Sequence, residues 1–223
     1  MTKKKKITII ICASVVTSLA LAVAIPFIVL ASRSASIKSN YAYLKEDKTY
    51  QTSVEVKGIE LVNQHISCGY ATIEMMSSFY GKRVSEDELS AKNDGRITTS
   101  SSSGFYREVS ESIPNKSFVR KSYLKNDALL KEIHASLENN NPVAIEWAAK
   151  YEGEWTLHFS LISGLDLLTD KVTVYNPYGF IESITVSEFI SRSTFEAYQN
   201  IPLFLNFGFA YGAFEKNAIF YAK

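Results

Sequence analysis

The sequence predicts an α+β domain, with helices first and an antiparallel sheet second, behind one apolar N-terminal helix. Three observations predict this fold class. Residues 7–31 contain no charged side chain. Residues 67–137 carry apolar side chains at helical spacing, and residues 143–176 carry three short segments typical of strands. A chain in which helices precede strands in this way packs its helices against an antiparallel sheet.

The N-terminal segment has the length and flanking charges of a membrane anchor. At about 1.5 Å per residue, residues 7–31 are long enough to cross a hydrocarbon core of roughly 30 Å. The run is longer than the apolar region of about 7–15 residues in a secretory signal peptide, which is the alternative interpretation. Four lysines precede the segment, so we expect residues 1–6 to form a cytoplasmic basic tail at the cell membrane. Under either interpretation the remainder is exported, and it is secreted if the segment is cleaved.

The charge of the exported remainder argues against nucleic acid as a partner. Removing residues 1–31 changes the net charge from +1 to −3 and leaves no basic patch. The sequence contains no phosphate-binding glycine motif, metal cluster or nucleotide fingerprint, so we expect no cofactor. The sequence leaves the oligomeric state open.

Residues 32–57 are predicted to form a polar linker that ends in a short strand, and residues 58–223 to form the domain. The first helix is predicted from near Ser67 to Tyr80, and Ser85 with Glu88 forms a capping box that opens a second helix. Further helices are expected up to about Ser112, in "NDALLKEIHASLENN" and in "TVSEFISRS". Strands are expected in "VAIEWAA", "LHFSLISGLD" and "KVTVYNPYG", and the aromatic tail from residue 203 is expected to complete the sheet.

Cys68 is the single cysteine of the exported part, and it opens the first predicted helix. A lone cysteine forms no disulfide within the chain, which leaves a small buried hydrophobe or a reactive thiol as its role. The partial positive charge at a helix N-terminus lowers the pKa of a thiol and favours the nucleophilic thiolate. We therefore take Cys68 as a candidate nucleophile.

Of the three histidines, His158 is the best candidate for a general base. His134 lies in the middle of a predicted helix and reads as an ordinary helix residue. His65 precedes Cys68 by three residues, but no further ligand completes a metal site, so it reads as a loop residue. His158 opens a predicted strand, and Asn176 lies in the next one. Neighbouring antiparallel strands place such side chains side by side, so the amide oxygen can orient the imidazole toward a thiol.

The two stretches "QHISCGYATIEMMSSFYG" and "LHFSLISGLDLLTDKVTVYNPYG" resemble the papain-like cysteine peptidase superfamily, and most of all the bacterial C39-like peptidases, over about residues 58–206. The resemblance implies a papain-like fold and a peptide or protein substrate. It implies Cys68 as nucleophile, His158 as general base and Asn176 as orienting residue. It also implies that the side chain of Gln64 completes an oxyanion hole with the backbone N–H of Cys68.

This sequence departs from the family pattern at two positions. The glutamine stands four residues before the cysteine, where the family usually has six. The orienting residue is commonly aspartate in C39-like enzymes, so Asp166 is the fallback for Asn176.

We therefore expect a membrane-anchored, extracytoplasmic cysteine peptidase or amidase that works through an acyl-enzyme. One alternative is a catalytically inactive C39-like domain that binds a peptide or a surface partner. Another is an acyl transferase, because "HFS" is also similar to phytochelatin synthase, whose acyl-enzyme is attacked by a thiol-bearing peptide. The substrate itself stays open.

Overall fold

The computed structural model of the protein describes residues 3–223, and it describes side chains from residue 11 onward. The helices of this part of the chain are α1 Lys3–Ser36, α2 Cys68–Phe79, α3 Glu86–Lys92, α4 Ser102–Ser112, α5 Asn126–Glu138, α6 Val186–Ser193 and α7 Leu203–Ala210. The strands are β1 Val54–Glu55, β2 Phe118–Lys121, β3 Val143–Tyr151, β4 Glu154–Asp166, β5 Lys171–Asn176, β6 Phe180–Ile184 and β7 Ala218–Ala222.

The strands form one antiparallel sheet in the order β2-β7-β3-β4-β5-β6, and β1 pairs with β4. The longest pairing is the β3–β4 hairpin, which runs from Val143 opposite Ile162 to Tyr151 opposite Glu154. Helices α2 to α5 precede most of the sheet in the chain, as the sequence predicts. The predicted α+β class is confirmed, as is the capping box of Ser85 and Glu88 at the start of α3.

Helices cover both faces of this sheet. Trp147 of β3 lies directly opposite His158 of β4, so the two side chains share one face, and the next residue, Phe159, points to the other. Phe105 of α4 stacks on Phe159, with ring centroids 4.3 Å apart. Phe189 of α6 contacts Trp147 across the opposite face. His158 therefore lies on the face that α6 covers.

The N-terminal part of the described chain is one long helix that runs directly into the domain. Residues Ile11–Ser36 are long and apolar enough to cross a membrane, by length and composition, and a signal sequence near an N-terminus passes the same test. The segment that follows, predicted as a linker, packs against the domain, because Ile37, Leu44 and Val56 are buried. The side chains of the predicted basic tail, residues 1–6, lie outside the described residues.

The aromatic tail differs from the prediction. Only Ala218–Ala222 adds a strand, β7, whereas Leu203–Ala210 forms the helix α7. A continuous apolar run has neither the alternation of a strand nor the spacing of an amphipathic helix, so its pattern does not decide between the two. Pro202 precedes the helix, where its missing N–H costs nothing, and Gly212 follows it with φ of +76°. The short strands β2 and β6, near the two ends of the sheet, were not predicted.

Glu146 of β3 is a fully buried carboxyl group, and burial is the main reason that its pKa is raised from 4.5 to about 8. Between those pH values the folded chain holds a proton that the unfolded chain has released. The contribution of Glu146 to stability is therefore present below pH 4.5 and is lost as the pH rises to 8. His158 acts in the opposite sense, because burial lowers its pKa from 6.5 to about 3, so its contribution is lost as the pH falls from 6.5 toward 3.

We expect the free energy of unfolding to change little between pH 4.5 and 6.5, where these two groups offset each other. We expect it to fall by about 2 kcal/mol from pH 6.5 to 8, where Glu146 acts without opposition from His158. Urea unfolding of the protein in detergent at the two pH values measures this difference. In the variant Glu146→Gln, we expect most of this decrease in the free energy of unfolding to disappear. The exposed His65, whose pKa is raised by its hydrogen bond to Asp87, acts in the same direction and accounts for the remainder. If the free energy of unfolding of Glu146→Gln decreases as much as that of the parent chain between pH 6.5 and 8, Glu146 is not the cause.

Candidate active site

Cys68 is the first residue of α2, and its thiol is held against the sheet. Ser67 caps the helix, and its side-chain oxygen accepts a hydrogen bond from the N–H of Tyr70 at 3.1 Å. Burial raises the pKa of the Cys68 thiol from 9.0 to about 11, although the backbone N–H groups of Phe159, Gly69 and Cys68 itself favour the thiolate. The expectation of a lowered thiol pKa is therefore wrong for this structure, because burial outweighs the helix N-terminus. The thiol is neutral at pH 7.

Gly69, next to Cys68, is a position where the loop before α4 approaches the helix closely. A Cβ built at Gly69 lies 2.3 Å from Oγ1 and 2.4 Å from Cβ of Thr99, a distance at which one of the two residues has to move. Thr99 is buried and 4% exposed, so it has little freedom to give way. The glycine of the Cys-Gly pair therefore allows this loop to pack on the first turn of α2.

We expect Gly69→Ala to lower the free energy of unfolding by about 1–3 kcal/mol, because the added methyl group overpacks a closed contact. Adding Thr99→Gly to the same chain removes the opposing side chain and is expected to restore part of the loss. Thermal unfolding of the single and double variants measures both effects. Two results would contradict this explanation. In one, Gly69→Ala is as stable as the parent chain; in the other, the double variant loses the sum of the stability losses of Gly69→Ala and Thr99→Gly measured separately.

His158 and Asn176 are joined by a hydrogen bond in the interior of the protein, with Nε2 of the imidazole 2.9 Å from Oδ1 of the amide. The same Oδ1 accepts the backbone N–H of Tyr178 at 3.0 Å, and Nδ2 of Asn176 donates to Oε1 of Glu182 at 2.6 Å. These partners fix the orientation of the amide. Because an amide oxygen only accepts, Nε2 of His158 carries the proton and Nδ1 carries the free lone pair.

The imidazole is neutral at pH 7, because burial lowers the pKa of His158 to about 3 while its bond to Asn176 opposes the shift. In the part of the chain that the structure describes, no hydrogen bond joins the Cys68 thiol to this ring. The thiol instead lies by the backbone N–H of Phe159, the residue after His158. The structure thus brings His158 and Asn176 together and places Cys68 beside the same strand.

Asp166, the fallback orienting residue, does not take part in this cluster. It ends β4, and its Oδ1 accepts the N–H of Thr169 at 2.9 Å in the turn that follows. Eight residues of strand separate it from His158, which corresponds to roughly 26 Å. The hydrogen-bond geometry favours Asn176 over Asp166.

Tyr178 forms a wall of the site that the sequence did not reveal. Its ring stacks on the imidazole of His158 with centroids 4.1 Å apart, and the ring of Tyr151 stacks on its other side at 4.4 Å. Next to them is a cavity of about 360 Å³, lined by Asn63, Gln64 and the two tyrosines. The sequence pattern predicts only a turn for the tyrosine of "NPYG", so it does not indicate this stack.

Gln64 borders the same cavity, and its backbone is fastened to the Asn-Pro turn. Its N–H donates to the carbonyl oxygen of Pro177 at 2.7 Å. Its side-chain oxygen Oε1 is buried without a hydrogen-bond partner. The loop between Gln64 and Cys68 is held by the buried carboxylate of Glu86, which accepts three successive backbone N–H groups, those of residues 65–67, at 2.8–3.0 Å. Gln64 and Cys68 are therefore joined by a loop that three hydrogen bonds to Glu86 hold in place.

A buried ion pair lies behind Asn176. Arg192 of α6 donates through Nη1 to Oε2 of Glu182 at 2.6 Å and through Nε to the carbonyl oxygen of Ala148 at 2.8 Å. Its guanidinium covers the ring of Trp147 at 3.5 Å from the centroid. Sequence analysis missed both charged residues, because Glu182 lies in the unpredicted strand β6 and Arg192 resembles an ordinary polar residue of a short helix.

The other two histidines make contacts of their own. The ring nitrogens of His65 each lie 3.1 Å from a carboxylate oxygen, one of Glu86 and one of Asp87. His134 is buried in α5, with Nε2 3.2 Å from the carbonyl oxygen of Thr52. Among the described residues, no group of three or more His, Cys, Asp and Glu side chains is placed to hold a metal ion.

The fold, with helix α2 packed against an antiparallel sheet, is that of a papain-like peptidase domain. The chain belongs to the Peptidase_C39 like family, whose model matches residues 56–202. Among solved structures, it is similar to the peptidase domain of Streptococcus ComA, described as a bifunctional ABC transporter involved in a quorum sensing pathway. That match has 17% identity and a TM-score of 0.45, and covers 60% of this chain and 92% of that chain. A search of curated proteins found no match.

Proposed function

We propose that the protein is a membrane-anchored cysteine peptidase or amidase that acts outside the cytoplasm and cleaves a peptide bond through an acyl-enzyme on Cys68. The observation that carries this proposal is the 2.9 Å hydrogen bond between His158 and Asn176. It fixes the tautomer in which Nδ1 can accept a proton, beside the helix that begins with Cys68. Membership of a peptidase family supports the same reaction class.

In the proposed reaction, the thiol and the imidazole both start neutral. As the sulfur of Cys68 attacks the carbonyl carbon, Nδ1 of His158 takes the thiol proton, and Oδ1 of Asn176 stabilises the imidazolium. The backbone N–H of Cys68 and the side-chain amide of Gln64 bind the oxyanion. The imidazolium then protonates the leaving amine. Water attacks the thioester, returns a proton through His158, and releases the acid and the free thiol.

This sequence of steps requires the ring and the sulfur to come within hydrogen-bond distance when a substrate is bound. Catalytic hydrogen bonds are often long before the substrate binds and shorten in the complex. The cavity beside Gln64 and Tyr178 provides a place for part of a peptide next to the reacting groups. The apolar stretch of α1, with four lysines before it in the sequence, supports an anchor whose domain lies outside.

A peptide electrophile that acylates or alkylates catalytic cysteines tests the proposal. We expect labelling of the full chain in detergent at neutral pH, lost in Cys68→Ser. Cys12→Ser is the matched control, because Cys12 is the other cysteine and lies in α1. The proposal of a peptidase is rejected if labelling persists in Cys68→Ser. It is also rejected if the folded parent chain is not labelled.

A second function is favoured by the thiol pKa of about 11 and by the lack of a hydrogen bond between Cys68 and His158 among residues 3–223. Both are expected of a catalytically inactive C39-like domain that binds a peptide or a surface partner. In that case the electrophile leaves Cys68 unlabelled while peptides still bind beside Tyr178. Binding is measured by the quenching of tyrosine and tryptophan fluorescence in the parent chain and in Tyr151→Ala.

A further inference from the structure

Helix α7 is apolar apart from Asn206, whose side chain donates to the carbonyl oxygen of Ile201, although the helix lies at the surface of the domain. Its inner residues, Leu205 and Phe209, are buried in a small core with Ala148 and Phe195. Its outer residues face away from the domain, and Leu203 and Phe204 are each 69% exposed. A helix that is hydrophobic all round belongs in the interior of a protein or in a membrane rather than at a water interface.

The outer side of α7 lies against α1, within the stretch that is apolar enough to cross a membrane. The ring of Phe207 contacts the ring of Phe27 edge-on, with centroids 5.1 Å apart. The hydroxyl of Tyr211 donates to the carbonyl oxygen of Ala22 at 3.2 Å. Both α1 residues lie within Ile11–Ser36, the candidate membrane span, so α7 contacts that span directly.

The sequence around α7 has the composition of a lipid-facing segment. Residues 197–214 contain no charged side chain, and Tyr198 and Tyr211 flank the helix. A tyrosine hydroxyl in lipid needs a hydrogen-bond partner, and that of Tyr211 has one in the carbonyl oxygen of Ala22. With roughly 150–250 Å² per aromatic side chain, the exposed apolar patch of Leu203, Phe204, Phe207 and Tyr211 is on the order of 400 Å². A patch of this size is comparable to the largest apolar patch on a typical soluble monomer, and such a patch often marks an interaction site.

The backbone N–H groups at the end of α7 also have hydrogen-bond partners within the protein. The N–H groups of Tyr211 and Gly212 donate to the carbonyl oxygens of Phe207 and Phe209, and that of Ala213 donates to Gly208 at 2.8 Å. Helix α5 ends with the same kind of hydrogen bond, from the N–H of Asn141 to the carbonyl oxygen of Ser136, so this is an ordinary helix end. It is compatible with a lipid environment, which offers no partners for free N–H groups, as well as with water.

We propose that α7 is a second membrane contact, whose outer residues lie in the lipid beside α1 and hold the peptidase domain against the bilayer surface. The inference rests on the proposed role of α1 as a membrane anchor. A lipid bilayer is favoured over a second copy of the chain because α7 lies along the candidate span itself. A helix in this place meets lipid wherever α1 crosses a membrane.

Fluorescence quenching by brominated lipid tests the proposal on the full chain in phosphatidylcholine vesicles. A tryptophan at Phe204→Trp reports on α7. The matched control is Ile181→Trp, which places the probe on strand β6 at an exposed apolar position, 51% exposed against 69%. We expect acyl-chain bromination to lower the emission added by Phe204→Trp about two-fold, since interfacial helices bury their apolar face about 5–10 Å deep. The emission added by Ile181→Trp is expected to stay unchanged.

Flotation of the same vesicles separates this proposal from the proposed anchor. If the chain floats with the vesicles and Phe204→Trp is not quenched, the α7 contact is wrong and the anchor stands. If the chain does not float, the anchor fails, and α7 fails with it. Equal quenching of both tryptophans indicates general adsorption and also overturns the proposal. Concentration-dependent dimerisation without quenching assigns the patch to a second copy instead.

Discussion

Replacing His158 with alanine is expected to slow the reaction of Cys68 with a peptide electrophile by about 10²–10⁴-fold, the range that a positioned general base contributes. The reason is that the thiol of Cys68 is protonated and the imidazole of His158 is neutral at pH 7. A thiol whose pKa is about 11 needs a base to take its proton during the attack, and His158 is neutral and holds its free lone pair at Nδ1. The measurement is the second-order labelling rate of the parent chain and of the variant.

His134→Ala is the control for this experiment, because His134 is also a buried histidine but lies in α5 and bonds to Thr52. It is expected to leave the labelling rate unchanged. The parent rate is expected to hold as the pH falls through 6.5, since the pKa of His158 is lowered to about 3. A rate that halves near pH 6.5, or equal rates in parent and His158→Ala, contradicts the role of His158.

Replacing Arg192 with methionine is expected to lower the free energy of unfolding by about 3–5 kcal/mol, because it leaves a nearly buried charge without its partner. The side chains of Arg192 and Glu182 are only 5% and 14% exposed. The variant also removes the donor to the Ala148 carbonyl and the cation above the Trp147 ring. Urea unfolding at pH 7 measures the loss.

The double variant Arg192→Met with Glu182→Gln removes both charges and is expected to recover a large share of that stability. Lys38→Met is a suitable control, because the ion pair of Lys38 and Glu196 is exposed, and its loss is expected to cost at most about 1 kcal/mol. Glu182→Gln alone keeps an oxygen that can accept from Nδ2 of Asn176. If Arg192→Met costs no more than Lys38→Met, the buried pair does not support the site.

The parts of the fold that follow from local sequence were predictable. Helix α2 and the capping box of α3 depend on residues within a few positions of each other, and the structure contains both. The pairing of His158 with Asn176 was predictable because two strands joined by a short turn bring their residues together. These features need no knowledge of the rest of the molecule.

The parts that depend on distant packing were not predictable. The pKa of Cys68 is set by how deeply the sheet and loops bury the thiol, and a helix N-terminus alone gives the opposite direction. Glu182 and Arg192 meet behind Asn176 only when β6 and α6 are in place. The aromatic run that forms α7 is apolar except for Asn206, so its pattern does not distinguish a helix from a strand, and its packing against Phe195 and its neighbours decides between them.

The bond between Asn176 and Glu182 favours an amide over a carboxylate as the side chain that bonds His158. An aspartate at position 176 would point one of its oxygens at the Glu182 carboxylate, where the amide now donates at 2.6 Å. Two facing acids repel each other, so the exchange becomes tolerable only after Glu182 has changed as well. We therefore expect positions 176 and 182 to change together among homologues, so that an aspartate at position 176 occurs with a residue other than an acid at position 182.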